Sequence, residues 1–73
     1  MAYVTHIGRF LRQYRMKHSI FREDMAAAMG AAPSWLANIE SGRTAIPKGF
    51  AELLSSTFKM TQLELRDLRN AIE

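Results

Sequence analysis

Ser34, Ala37, Asn38 and Ser41 recur at the i, i+3, i+4, i+7 spacing of a single helix face, and Arg43, Thr44 and Lys48 follow in the next few residues. The amide of Asn38 carries a donor and an acceptor side by side, the pair needed for a bidentate bond to the adenine edge. Such a pair discriminates by roughly 1–3 kcal/mol. Ser34 bonds to several bases and so specifies little, while Ala37 offers a methyl group that touches a thymine methyl or merely permits close approach. Arg43, Thr44 and Lys48 are residue types that hold phosphates, each neutralised phosphate adding about one unit to the salt slope of binding. The face itself is chemically sparse, with no Arg, Lys or Gln aimed from it, so sequence preference there leans partly on duplex shape and deformability.

Three further positions belong to this constellation. Arg22 stands near the start of the preceding apolar-periodic segment, where it suits a phosphate contact and equally a solvated helix face. Trp35 lies at the edge of the Ser34–Ser41 face, either stacking on sugar and phosphate or serving as a partly buried packing element. Glu40 opposes the helix dipole and repels phosphate if exposed, so it needs a cation. Arg15 is the expected partner, in a structural bridge that joins two helices.

Five short helices are expected to position these groups. The first runs from Thr5 or His6 to Lys17 and buries Ile7, Phe10, Leu11 and Tyr14. Ser19 is expected to cap the second, which carries Phe21, Met25 and Met29 inward and ends at Gly30, with Ala26, Ala27 and Ala28 keeping it thin. Pro33, unable to donate a hydrogen bond, starts the third, which buries Leu36 and Ile39 and stops at Gly42. The fourth starts at Pro47 and buries Phe50, Leu53 and Leu54, with Phe58 in the turn after it. Thr61 and Glu64 form a capping box for the fifth, Met60 and Leu65 occupy the staple positions around it, and Leu65, Leu68 and Ile72 form its apolar stripe. That stripe either closes the core or pairs with a second subunit.

Composition narrows the classes. The chain has 73 residues and no cysteine, which excludes disulfides and cysteine-ligated metal. One domain over residues 1–73 is expected, with no metal and no cofactor. The start lacks a signal-peptide core and no apolar run spans a bilayer, so the expectation is a cytoplasmic protein without a membrane partner. Formal charge is +3, and residues 1–48 hold seven Lys or Arg against three Asp or Glu. A polyanion facing that part of the molecule fits this asymmetry. No catalytic residue is assigned and an enzyme is not expected: Glu23 and Asp24 point from different helix faces, and His6 and His18 have no carboxylate constellation.

From Phe21 to Gly42, two short helices flank a glycine-containing turn, the layout of a helix-turn-helix, in which one helix enters the major groove of double-stranded DNA and the other lies across the backbone. The segments IGRFLRQYR, REDMAAAMG, APSWLANIESGR, IPKGFAELL and TQLELRDLRNAIE together resemble the Cro and phage-repressor type of helix-turn-helix protein, the xenobiotic-response-element (XRE) family, over Ile7 to about Ile72. The resemblance implies an all-α, five-helix, lambda-repressor-like DNA-binding domain with the motif in helices two and three. It places the positions matching Arg22, Ser34, Asn38, Ser41, Arg43 and Thr44 at the DNA interface and pairs those matching Arg15 and Glu40. It further implies a homodimer on a palindromic operator, on the nucleoid of a prokaryotic cell or phage-infected host. Ala32 and Arg22 depart from the customary Ser or Thr and Gln at their positions.

The leading expectation is a small transcriptional regulator, a repressor that occludes a promoter. The competing one is a protein-interaction module on the same fold, such as an antitoxin, an antirepressor or a binder of a host regulator, supported by the sparse recognition face and by the apolar stripe of the last helix.

Overall fold

The computed structural model describes residues 5–72, among which there are five α-helices and no strand. They are α1 (His6–His18), α2 (Arg22–Ala28), α3 (Pro33–Ser41), α4 (Phe50–Phe58) and α5 (Gln62–Ile72). Burial follows the 3.6-residue period. Ile7, Leu11 and Tyr14 from α1 meet Met25 and Ala26 from α2, Leu36 and Ile39 from α3, Phe50, Ala51 and Leu54 from α4, and Leu68 from α5. The helix α1 packs on both α3 and α5, and α2 packs on α3. No helix among the described residues is long and apolar enough to cross a membrane.

Thr5 caps α1, its hydroxyl accepting from the Gly8 N–H at 2.9 Å. At the far end Ser19 adopts the left-handed conformation at φ 56°, ψ 47° and closes α1, with Ile20 N–H donating to the Arg15 carbonyl at 2.9 Å. Ser19 therefore ends the first helix and does not cap the second. The N-cap of α2 is Phe21, which makes no side-chain cap bond. Because Phe21 sits outside the helical repeat, its ring lies off the inward stripe and is 72% exposed, contrary to expectation, while Ile20 takes the place against the core. Glu23 and Asp24 in the first turn of α2 complement its dipole in place of a cap.

Pro33 opens α3 at its first turn, and Gly42, at φ 83°, stops it. The fourth helix begins three residues later than Pro47 because Gly49 takes φ 82°, which only glycine adopts readily, and Phe50 N–H bonds back to the Pro47 carbonyl at 3.2 Å in a turn. As a result Leu53 is partly exposed, Ala51 joins the core in its place, and Phe58 is the last residue of α4, packed edge-on against Tyr14 at 5.9 Å.

The capping box of α5 is formed in both directions: Glu64 N–H donates to Thr61 Oγ1 at 3.1 Å and Thr61 N–H to Glu64 Oε1 at 2.9 Å. The other oxygen of Glu64 meets His18 Nε2 at 3.0 Å and Lys17 Nζ at 3.5 Å, tying the end of α1 to the start of α5. The Thr61 N–H, and after it His18, hold the Glu64 carboxyl down at about 2. Burial, reinforced by the charge of Glu64, pushes the Tyr14 phenol up. Leu65, Leu68 and Ile72 all turn to the core, so the stripe of α5 closes the fold.

Candidate nucleic-acid interface

The helix α3 is fixed from behind. Leu36 and Ile39 are fully buried, and the carboxylate of Glu40 receives both terminal nitrogens of Arg15, at 2.7 and 3.0 Å. Each of these two side chains is only 8% exposed, which makes their bond a desolvated, bidentate one that sets the position of α3 on α1. The backbone carbonyl of Glu40 accepts from the Thr5 hydroxyl at 2.6 Å. Gly8 lies directly beneath: a Cβ there would collide with the same carbonyl oxygen. Nothing in the residue types of Thr5 or Gly8 identified this long-range contact, although a glycine inside a helix is a sign of close backbone approach.

Holding Glu40 inward removes the one anionic side chain of α3 from its outer surface. What remains there is Pro33 and Ser34, exposed at the first turn, then Ala37, Asn38 and Ser41, half-buried along one side. The Ser41 hydroxyl turns back to donate to the Asn38 carbonyl at 3.2 Å, and the N–H groups of Arg43 and Thr44 close on that same carbonyl at 2.9 and 3.2 Å. The tight closure sets Arg43 and Thr44, both exposed, immediately past the end of α3. Lys48 is exposed further along the loop. Trp35 is half-buried, its ring 6.1 Å from that of Phe50 at the junction of α3 and α4.

Arg22 is not simply solvated. Its Nη2 approaches Glu40 Oε1 at 3.4 Å, its side chain is 41% exposed, and its Nε is buried without a hydrogen-bond partner. Two guanidinium groups therefore share one carboxylate, and the cluster retains a net positive charge beside the start of α2. The residue sequence gave no sign that Arg22 reaches Glu40. Ala32, the N-cap of α3, provides no side-chain bond, so the first N–H groups of α3 have no side-chain acceptor.

Residues 6–68 match the family described as a helix-turn-helix domain. No curated protein and no solved structure gives a significant match. With α2 and α3 packed across the Gly30 turn and this match running from the start of α1 into α5, the chain belongs to the helix-turn-helix domain family, whose motif is a DNA-binding element.

Proposed function

We propose that this protein is a sequence-specific regulator of transcription that lays α3 in the major groove of duplex DNA and represses by occluding a promoter. The observation that carries the reading is the outer face of α3: it is small and polar, its carboxylate is withdrawn into the Arg15 bridge, and exposed Arg43 and Lys48 flank it. A short helix with small side chains enters the groove closely, and cations at its margins hold the phosphates. Asn38 is the base reader, with Ser34 and Ala37 beside it. Arg22, Ser41, Arg43, Thr44 and Lys48 serve the backbone, while Pro33 starts the helix and Trp35 braces it.

The resemblance to the Cro and phage-repressor type supports a homodimer on a palindromic operator, with two copies of α3 about 34 Å apart, one turn of the duplex. The protein-module alternative loses one of its two supports, because the apolar stripe of α5 packs against the core, and keeps the other, the sparse outer face of α3.

Gel-shift titration against mixed-sequence duplex and the DNA upstream of the protein's own gene tests the reading. Salt-sensitive binding that Arg43→Glu abolishes is the expected result, and absence of binding at low salt overturns it. A symmetric footprint with two equivalent half-sites is expected for the dimer; an asymmetric single site removes that part.

A further inference from the structure

Between α1 and α5 lies a groove of about 400 Å3, a volume within the range of small-molecule sites. The two helices run antiparallel along it. Lys17 and His18 at the end of α1 meet Glu64 at the start of α5, and Thr5 and His6 lie beside Ala71 and Ile72. One turn on from Lys17 and Glu64, Gln13 and Tyr14 stand level with Asp67, and a further turn brings Arg9 and Phe10 level with Asn70 and Ala71.

The charges of this groove are unevenly matched. At one end Glu64 is engaged by the Thr61 N–H, His18 and Lys17. At the other Arg9 is exposed, makes no ion pair among the described residues and stands opposite the uncharged amide of Asn70, with His6 beyond it. Asp67, between the two ends, pairs among the described residues only with its own neighbour Arg66, at 3.3 Å and with both side chains more than half exposed. Such a pair holds neither partner firmly.

The floor is aromatic. Phe10 is half-buried, its ring nearly parallel to that of Tyr14 at 6.1 Å. Tyr14 is enclosed by Phe10, by His18 at 4.2 Å and by Phe58 at 5.9 Å, and is only 6% exposed. Its hydroxyl makes no hydrogen bond among the described residues, and burial keeps the phenol protonated. A polar group so enclosed calls for a partner, and Tyr14 lines the groove where one fits.

We propose that this groove is a binding site for a small aromatic monoacid that carries a hydroxyl at its far end, with the carboxylate on Arg9 and the ring on Phe10. The ligand hydroxyl donates to Asp67 and accepts from Tyr14. Four residues of α1 separate the level of Arg9 from that of Gln13 and Asp67, a rise of about 6 Å that a para-substituted ring spans. Asp67 repels a second carboxylate at that end, so diacids are rejected. Neither α2 nor α3 lines the groove, and the site stands apart from the DNA-binding reading.

The test is an NMR titration of the protein alone with para-hydroxyphenylacetate, set beside phenylacetate and tyramine. Saturable shifts at the amides of Arg9, Phe10, Gln13, Asp67 and Asn70 are expected, together with a higher melting temperature as the probe is added. Arg9→Gln weakens binding about tenfold, the loss of one charge-assisted bond. That variant keeps its fold, since Arg9 is exposed and unpaired among the described residues. Phenylacetate binds several-fold more weakly than para-hydroxyphenylacetate, and Tyr14→Phe and Asp67→Ala each narrow the gap. Absence of saturable shifts up to the solubility limit of the probe, or an Arg9→Gln variant that binds as wild type does, overturns the site. Equal binding by tyramine, in which an ammonium replaces the carboxylate, overturns the acid assignment. Shifts at the same residues that grow with protein concentration and need no probe give the face to a second copy of the chain and overturn the proposal as well.

Discussion

Thr5 and Glu40, 35 positions apart in the chain, share a 2.6 Å hydrogen bond in which the threonine hydroxyl donates to the glutamate carbonyl while accepting the N–H that starts α1. One hydroxyl thus caps the first helix and fastens the end of the third. Glu40 is held through its main chain by Thr5 and through its side chain by Arg15, so both the height and the rotation of α3 are set. A helix that is to read base edges needs that rigidity, because a misplacement of an ångström forfeits directional bonds.

Gly8→Ala is expected to destabilise the protein although alanine is the better helix former by about 1 kcal/mol. The added Cβ meets the Glu40 carbonyl oxygen, which is backbone and cannot rotate away. A net loss of about 1–3 kcal/mol, the usual cost of overpacking, should appear as a lower urea midpoint. An unchanged or higher midpoint would show that α1 and α3 slide apart freely.

Arg15→Ala or Glu40→Ala should each cost about 3–5 kcal/mol, since either leaves a buried charge without its bidentate partner. Replacing the pair together, Arg15→Met with Glu40→Leu, should recover most of that loss, because apolar groups of similar size avoid the desolvation penalty. Denaturant unfolding of the three variants measures this. A double variant as unstable as the sum of the singles would contradict it.

Acid should weaken the junction between α1 and α5. The Glu64 carboxyl, at 4.5 when unperturbed, is lowered to about 2 by the Thr61 N–H and His18. A depressed carboxyl contributes stability that is complete above 4.5 and lost as pH falls from 4.5 toward 2. Urea midpoints measured across that interval should fall for wild type and fall less for Glu64→Gln, which keeps a capping-box side chain but has no carboxyl to titrate.

Ser19→Gly and Lys59→Gly should each raise stability by about 0.5–1 kcal/mol, the relief of a left-handed residue less the extra chain entropy of glycine. Both residues end helices with positive φ, at 56° and 52°. Thermal melts decide it, and a lower melting temperature for either would show that its side chain makes up for the backbone strain.

On a selected binding site, Asn38→Ala should lose about 1–3 kcal/mol of preference at one adenine position and leave the salt slope unchanged. Competition between the selected duplex and one altered at that base is the measurement. A uniform loss across sequences would make Asn38 a backbone contact.

The five helices were legible because their signals are local: the Thr61 and Glu64 capping box, Pro33 and Gly42 bracketing α3, and the period of Ile7, Leu11 and Tyr14. The need of Glu40 for a cation was legible too, from its place at a helix end. What escaped the sequence was non-local or non-standard. A serine in the left-handed region carries no compositional mark as glycine does, so Ser19 read as the start of α2 and Phe21 as core. Gly49 breaks what would otherwise be a longer fourth helix, shifting its inward face from Leu53 to Ala51. The reach of Arg22 to Glu40 depends on how α2 leans over α3, which no spacing within either helix encodes.

Trp35, the single tryptophan of the chain, projects from α3 onto Phe50 at the seam with α4. Its indole emission therefore reports on α3 itself, without any attached dye. The same fluorescence channel follows loss of the seam on denaturation and any change in solvent around α3 on titration with a duplex. Folding and ligand engagement can then be timed on one optical signal from the unmodified protein.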